Sequence, residues 1–469
     1  MKDDDTLLHL AVKGGYIDIV KLLLEQTDID PNKVNEDADT PLHLAVEGGY
    51  LDIVKLLLEQ SDIDPNKVNK DDDTLLHLAV KGGYIGIVKL LLEQTDIDPS
   101  KVNKDDDTLL HLAVKGGYLD IVKLLLERTD TDPNKVNKDG YTPFDLAVET
   151  ELFEIVKLLL VRTTIDPTRT YEDGDTVLHK AARRGQLEIV QLLLEIPRMD
   201  PNQKNKKGDS PLHSAVKRGY FDTVKLLLER TDIDVYCVNE EGNSPLHSAA
   251  ERGHIDIVKL FLEGTDIDVN MLNKKGDSPL HLAADSGNIA KVKLFLERTD
   301  IDVNMLNNSG NNILHSAVEH GHLNIVELLL DRTDIDPNKV NEINGDTPLH
   351  TIVKDRYERF QTNDEIFDYG FYDDPDLHNR LKIIKVLLAR TTIDLKRVYK
   401  NDDILLHAAV LGGNIELVKL LLERTIQDPT EKNQGNDTVL HSAVLGGDFE
   451  IVKLLLERTC IDPSEKNQV

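Results

Sequence analysis

The stretch Thr40-Pro41-Leu42-His43-Leu44-Ala45-Val46-Glu47-Gly48-Gly49-Tyr50-Leu51-Asp52-Ile53-Val54-Lys55-Leu56-Leu57-Leu58 decides the fold. Thr40 is a good helix N-cap, and Pro41 suits the first helical position, where a missing N–H costs nothing. Leu42, Ala45 and Val46 form a short apolar stripe, and Gly48-Gly49 breaks the helix. Leu51, Val54, Leu57 and Leu58 then recur at the spacing of a second helix. Asp62-Ile63-Asp64-Pro65-Asn66 reads as a turn, and Asn69 to Asp73 as a tight polar hairpin tip.

The same unit opens at Thr6, Thr40, Thr74, Thr108, Thr142, Thr176, Ser210, Ser244, Ser278 and Asn312, every step being 34 residues. Thr347 follows after 35 residues, Ile404 after 57 and Thr438 after 34, which makes thirteen copies. One helix–turn–helix of this size cannot bury its apolar face alone, whereas stacked copies can. The expected fold is an all-α repeat solenoid of stacked helix-turn-helix units with hairpin-like loops.

Thr-Pro-Leu-His, a short helix, Gly, then Ile-Val-Lys-Leu-Leu-Leu, repeated in register over about residues 1–469, resembles the ankyrin repeat. The resemblance implies an ankyrin-type superhelix. The departures are an extra residue in segments such as Thr27-Asp28-Ile29-Asp30-Pro31-Asn32, and Asp145 in place of the motif histidine. The hairpin-tip glycine (Gly140, Gly174, Gly208, Gly242, Gly276, Gly310, Gly345) gives way to Asp4, Asp72, Asp106, Asp402 or Asn436 in other copies, residues that tolerate a left-handed backbone. Ala38 does not, so a distorted tip is expected there.

The spacing divides the chain into residues 1–354 (ten repeats and the first helix of the eleventh), an insertion at 355–378, and residues 379–469 (the rest of repeat 11, with repeats 12 and 13). Neither end shows a clear polar cap. Either the ends fray, or copies stack between molecules, or the chain is part of a larger one; the oligomeric state stays open.

Composition narrows the function. The net charge of −30 argues against nucleic acid or an anionic membrane as the default partner. Two cysteines, Cys237 and Cys460, make no disulfide framework, so a reducing, cytoplasmic compartment is expected. The acidic start Met1-Lys2-Asp3-Asp4-Asp5 leads into no secretory h-region, and no run is long and apolar enough for a transmembrane helix.

Chemistry-bearing motifs are scarce. No phosphate-binding Gly-Lys-Ser/Thr, Gly-x-Ser-x-Gly or His-Glu-x-x-His occurs, so neither catalytic residues nor cofactors are expected. Twelve of the sixteen histidines share one repeat position (His9, His43, His77, His111, His179, His213, His247, His281, His315, His350, His407, His441). Stacked helices lie about 8–10 Å apart, too far for one histidine per repeat to converge on a zinc ion. Each is expected to bond its own turn and hairpin. His320 and His322 are spaced for a weak metal contact that nothing nearby supports. Asp28/Asp30/Asn32 and its copies match the first offsets of a calcium loop, but Lys33 stands where the sharp-turn glycine is needed. A helix-terminating turn is the better reading.

Two places break the pattern. Lys180, Arg183, Arg184, Lys206, Lys207, Lys217, Arg218, Arg252, Lys274 and Lys275 make a basic island in repeats 6 to 9 of an acidic chain. The insertion holds Tyr357, Phe360, Phe367, Tyr369, Phe371 and Tyr372, six of 21 aromatics, among many acids. Arginine offers bidentate contacts to carboxylate or phosphate, and aromatics dominate interface hot spots. Alternatively the island balances neighbouring acidic tips, and the insertion covers the array's own apolar side chains.

The expected function is a non-catalytic protein–protein interaction scaffold binding a partner with an acidic segment on its concave hairpin and first-helix face. Neither nucleic acid nor membrane insertion is expected. The near-identical copies are also similar to ankyrin-rich proteins of intracellular bacteria, which implies a secreted effector in host cytoplasm. The alternatives are a targeting module of a larger enzyme or toxin, and a binder of anionic surfaces through the basic island.

Overall fold

The computed structural model describes residues 4–352 except 27, 95–96, 129–130, 164–165, 253, 333 and 344. It also describes 375–390, 405–424 except 412 and 414, 432, and 437–459. The described residues form 25 helices and no strand beyond two isolated bridges, Thr170 to Thr176 and Lys432 to Thr438. Two compact units divide at 215/216, inside the helix Pro211–Arg218.

In the first unit, each repeat is a pair of helices, such as Pro41–Glu47 with Leu51–Leu58 and Leu75–Lys81 with Ile85–Leu92. First helices pack on first helices of the next repeat, and second helices on second, giving two layers. Between the layers lie Leu42, Ala45 and Val46 from one side and Ile53, Val54 and Leu57 from the other, all buried. Each such Leu, Ile or Val stabilises by roughly 1.5–3 kcal/mol. That gain is shared across repeat junctions, because no repeat covers its own faces. The second unit repeats the plan from Phe221–Leu228 through Ile313–Glu319 with Leu323–Leu330.

Repeat 11 continues on a 16-residue helix, Pro375–Arg390, which packs on Leu323–Leu330. It begins before the expected junction at 378/379, with proline in a favoured starting position. Val439–Gly446 with Phe449–Arg458 forms the last described pair.

The histidine row has a fuller role than its own turn. Nδ1 of His43 accepts the Thr40 backbone N–H at 3.2 Å, while Thr40 Oγ1 accepts the His43 N–H at 3.3 Å, closing a capping box. Nε2 leaves the repeat in most copies. From His9, His179 and His407 it donates to the carbonyls of Asp39, Asp209 and Asp437, at 3.0–3.1 Å, in the hairpin tip of the following repeat. The expectation that each ring serves its own hairpin is therefore corrected: it ties two repeats together. In repeat 5, Asp145 replaces only the inner half, accepting the Thr142 N–H at 2.8 Å.

The tip at Ala38 is not distorted. Its φ is +60°, and Ala38 N–H donates to the Asn35 carbonyl at 3.0 Å, as Asp72 N–H does to Asn69 at 3.1 Å. Asn35 Oδ1 also accepts from the Asp37 and Asp39 backbone N–H groups, so the side chain holds alanine in a left-handed backbone that costs about 1–2 kcal/mol.

Candidate protein-docking surface

The exposed ends of the first helices and the hairpin tips follow a charge rule eight residues long. The residue before each described N-cap is buried or half-buried at the tip, and the residue eight positions on closes the first helix beside it. Where the first is aspartate, the second is usually basic. Lys13 pairs with Asp5 at 2.5 Å, Lys115 with Asp107 at 2.5 Å, Arg183 with Asp175 at 2.7 Å, and Lys81 pairs with Asp73. Where the second is Glu251 or Glu319, the first is Asn243 or Asn311, and Asn311 Nδ2 donates to Glu319 at 3.4 Å. A buried carboxylate must be paired, whereas a buried amide need only be hydrogen-bonded.

The tip residues also link neighbouring repeats. Asn103 Nδ2 donates to Asp73 at 3.2 Å, Asn137 to Asp107 at 2.9 Å and Asn205 to Asp175 at 2.7 Å. Asp39 breaks the charge rule because Glu47 stands eight residues on. Burial pushes its carboxyl up to about 6; Glu47 and Asp37 push the same way, and an Asn69 hydrogen bond opposes them.

This rule sorts the basic island. Arg183 is the tip cation of repeat 6, taken by a fully buried Asp175. Arg184 pairs with Glu149. Lys180 is corrected outright as a partner-binding residue, because it is only 6% exposed. It occupies the register of the buried Leu44. Its ammonium pairs with Glu149 at 3.3 Å and lies over the Tyr171 ring, 3.4 Å from the centroid, and 4.6 Å from that of Tyr141.

Those contacts belong to a polar junction between repeats 5 and 6. Tyr171 O–H donates to Asp145 at 2.5 Å, and Arg169 reaches Asp145 at 3.4 Å and the Gly140 carbonyl at 2.8 Å. Burial and the Asp145 carboxylate push the Tyr171 hydroxyl far up, so it stays a donor. Asp145 thus takes over the capping half of the missing histidine and gains partners from the next repeat. Glu149 and Asp175, which neutralise three of the expected cations, were absent from the expected site. The eight-residue pairing that reveals them is readable in the sequence.

Six of the ten cations remain open. Lys206 and Lys207 in the first unit, and Arg218, Arg252, Lys274 and Lys275 in the second, are exposed and make no ion pair with a described residue. Lys217 is half-exposed. Arg218 and Arg252 stand where repeats 1 to 4 have the first glycine of their pair, and they lengthen the first helix to Pro211–Arg218 and Pro245–Arg252. In the earlier repeats that position is closed to a side chain, since a Cβ on Gly48 would lie 2.3 Å from the Tyr50 ring. Exposed Glu240 and Glu241 form the intervening tip of repeat 8.

Tyr357, Phe360, Phe367, Tyr369, Phe371 and Tyr372 lie outside the described residues, as does Cys460. Cys237 is buried. Among the described residues no group of three or more His, Cys, Asp and Glu side chains could hold a metal ion. His320 and His322 stack on each other with centroids 5.9 Å apart, and His322 Nε2 donates to the Asp285 carbonyl at 3.0 Å. The aspartates of the calcium-like runs turn inward on their own backbone, Asp30 accepting the Asn32 N–H at 2.9 Å and Asp64 the Asn66 N–H at 3.0 Å. Among the described residues no helix is long and apolar enough to cross a membrane.

Comparison with known proteins agrees with this geometry. The family of ankyrin repeats (3 copies) matches residues 1–69, 76–171, 146–238, 178–271, 246–341 and 377–467, and a second description, ankyrin repeats (many copies), matches 47–92. No curated protein matches this chain. A similar solved structure is the ankyrin repeat domain of Bcl-3, described as a unique member of the IkappaB protein family. It is 31% identical over 48% of this chain and 99% of that one, with a TM-score of 0.42. Ankyrin repeats generally mediate protein–protein interaction and are typically non-catalytic. With matches over most of its length and a histidine-tied helix pair in nearly every repeat, the chain belongs to the ankyrin-repeat family.

Proposed function

We propose that this chain is a non-catalytic scaffold that holds an acidic segment of a partner protein through the cations its own fold leaves unpaired. The observation that carries this reading is the division just described. Arg183, Arg184 and Lys180 are consumed by internal carboxylates, whereas Arg218, Arg252, Lys274 and Lys275 stand exposed in one unit without such partners. Lys206 and Lys207 add a second exposed pair in the other unit.

The net charge of −30 repels an acidic partner at long range. At physiological ionic strength the Debye length is about 8 Å, so distant acids are screened and local contacts decide. Arginine at 218 and 252 supplies bidentate geometry for carboxylates, which lysine does not. Nucleic acid is disfavoured by the same charge, because four cations give too small a footprint to overcome it.

An aspartate- and glutamate-rich peptide with a fluorescent label serves as probe. Reversing Arg218, Arg252, Lys274 and Lys275 to glutamate together weakens its binding by at least about tenfold, and binding to the unsubstituted chain falls as salt rises. Equal binding by the two proteins overturns the reading.

A further inference from the structure

The arginines left open in repeats 7 and 8 stand beside apolar side chains that are left open as well. Arg218 ends its first helix, Gly219 and Tyr220 follow, and Phe221 opens the second helix, Phe221–Leu228. Arg252 ends the next first helix, and Ile255 opens Ile255–Gly264. Tyr220 and Phe221 are each 39% exposed, and Ile255 is 36% exposed. In repeats 9 and 10 the opening position holds Ile289 and Leu323, which are half-buried, and the arginine position holds Ser286 and His320. Repeats 7 and 8 thus combine an exposed arginine with an exposed apolar side chain, which the next two repeats do not.

The two copies of this pair are neighbours. Their second helices pack on each other, and the His254 ring lies against Gly219, where a Cβ would come within 2.4 Å of it. Stacked helices lie about 8–10 Å apart, so Arg218 with Arg252, and Phe221 with Ile255, form two rows of about that step. An extended chain rises about 3.3 Å per residue, so roughly three residues of a bound segment span one repeat.

The charges beside the two rows differ. Glu251, next to Arg252 in the chain, supports the charged form of the buried Lys291. Asp222 and Asp256 directly follow Phe221 and Ile255 and are exposed, so a carboxylate laid on the apolar row meets like charge. Carboxylates are favoured on the arginine row, and the second row accepts an apolar side chain.

We propose that the partner segment carries one acidic and one apolar residue in each stretch of three, its carboxylates on Arg218 and Arg252 and its apolar side chains on Phe221 and Ile255. This rests on the acidic-segment reading and names the other half of the recognition. Covering Phe221 and Ile255 removes apolar surface from water, a gain that salt does not screen. Tyr220 adds a ring of the type that dominates interface hot spots.

Two labelled peptides of equal charge serve as probes, one of repeated Glu-Ser-Ser triplets and one of repeated Glu-Ser-Leu triplets. The unsubstituted full chain binds the leucine peptide at least about tenfold more tightly than the serine peptide. Phe221→Ser with Ile255→Ser brings the two affinities together and leaves that of the serine peptide as it was, the denaturation midpoint checking that the fold is kept. Arg218→Met with Arg252→Met weakens both peptides. Equal binding of the two peptides by the unsubstituted chain overturns the inference, and so does an undiminished leucine preference after Phe221→Ser with Ile255→Ser. In both cases a serine peptide that still depends on the two arginines leaves the acidic-segment reading standing. A serine peptide indifferent to them overturns that reading and this inference with it.

Discussion

Acidification from pH 7 toward pH 4 unfolds this protein, with uptake of several protons. The cause is the histidine row. Burial holds His43, His247 and His315 down to about 4, against an ordinary 6.5, and also lowers His9, His77, His111, His179 and His281. Backbone carbonyl contacts at Nε2 pull the other way without winning. The geometry explains why the proton is unwelcome: Nδ1 of His43 is already an acceptor for the Thr40 N–H, and a protonated ring cannot accept.

Between pH 4 and 6.5 the unfolded chain binds protons that the folded rings refuse. Stability is therefore full above 6.5 and is lost as pH falls toward 4. His43, His247 and His315 each contribute roughly 3 kcal/mol across that window. Asp39, raised to about 6, and Asp285, also raised by burial, act in the opposite sense, as does relief of the −30 charge. Eight rings outweigh two carboxyls. Circular dichroism followed through a pH titration checks this; helix content unchanged at pH 4 contradicts it.

The second large effect is stabilisation by removal of a charge. Lys291 stands where Ile53, Ile87, Ile121, Ile155, Ile189, Ile257 and Ile325 fill the core in other repeats, and it is fully buried. Its ammonium donates to the Ala250 carbonyl near the end of the preceding first helix. Burial lowers its pKa to about 8, with Glu251 only partly opposing. The folded state thus refuses a proton that the unfolded state keeps up to about 10.5.

Stability rises as pH climbs from 8 toward 10.5 and is depressed below 8. Lys291→Ile removes a cost of roughly 3 kcal/mol and leaves the Ala250 carbonyl unpartnered at about 1 kcal/mol, a net gain of about 2 kcal/mol near pH 7. Guanidinium denaturation at pH 7 and pH 10 checks both parts. A variant less stable than the parent at pH 7 contradicts the assignment.

The fold was legible because the capped helix start recurs at a step of 34 residues through the first ten repeats, and apolar periodicity needs no tertiary information. The site was only half legible. Counting cations in repeats 6 to 9 gathered the exposed Arg218 and Arg252 together with Arg183 and Lys180, whose contacts depend on Asp175, Glu149 and two tyrosines. Arg183 could have been set aside by comparing each helix end with the residue eight positions earlier. Lys180 could have been set aside by its register with Leu44. The second bond of most of these histidines was less accessible, since in His9, His179 and His407 it crosses 30 residues to a carbonyl that no side-chain pattern marks. Ala38 shows the reverse case, in which a poor local residue is held in place by the Asn35 side chain.

The central claim is that internal pairing separates structural cations from docking cations. One comparison tests it most directly: Arg183→Met beside Arg252→Met, each measured for denaturation midpoint and for affinity toward the acidic peptide. The account predicts that Arg183→Met strands the buried Asp175 carboxylate, costs about 2–4 kcal/mol of stability and leaves affinity unchanged. Arg252→Met leaves the midpoint in place and weakens binding. The opposite assignment, or equal effects of both substitutions on affinity, would contradict it.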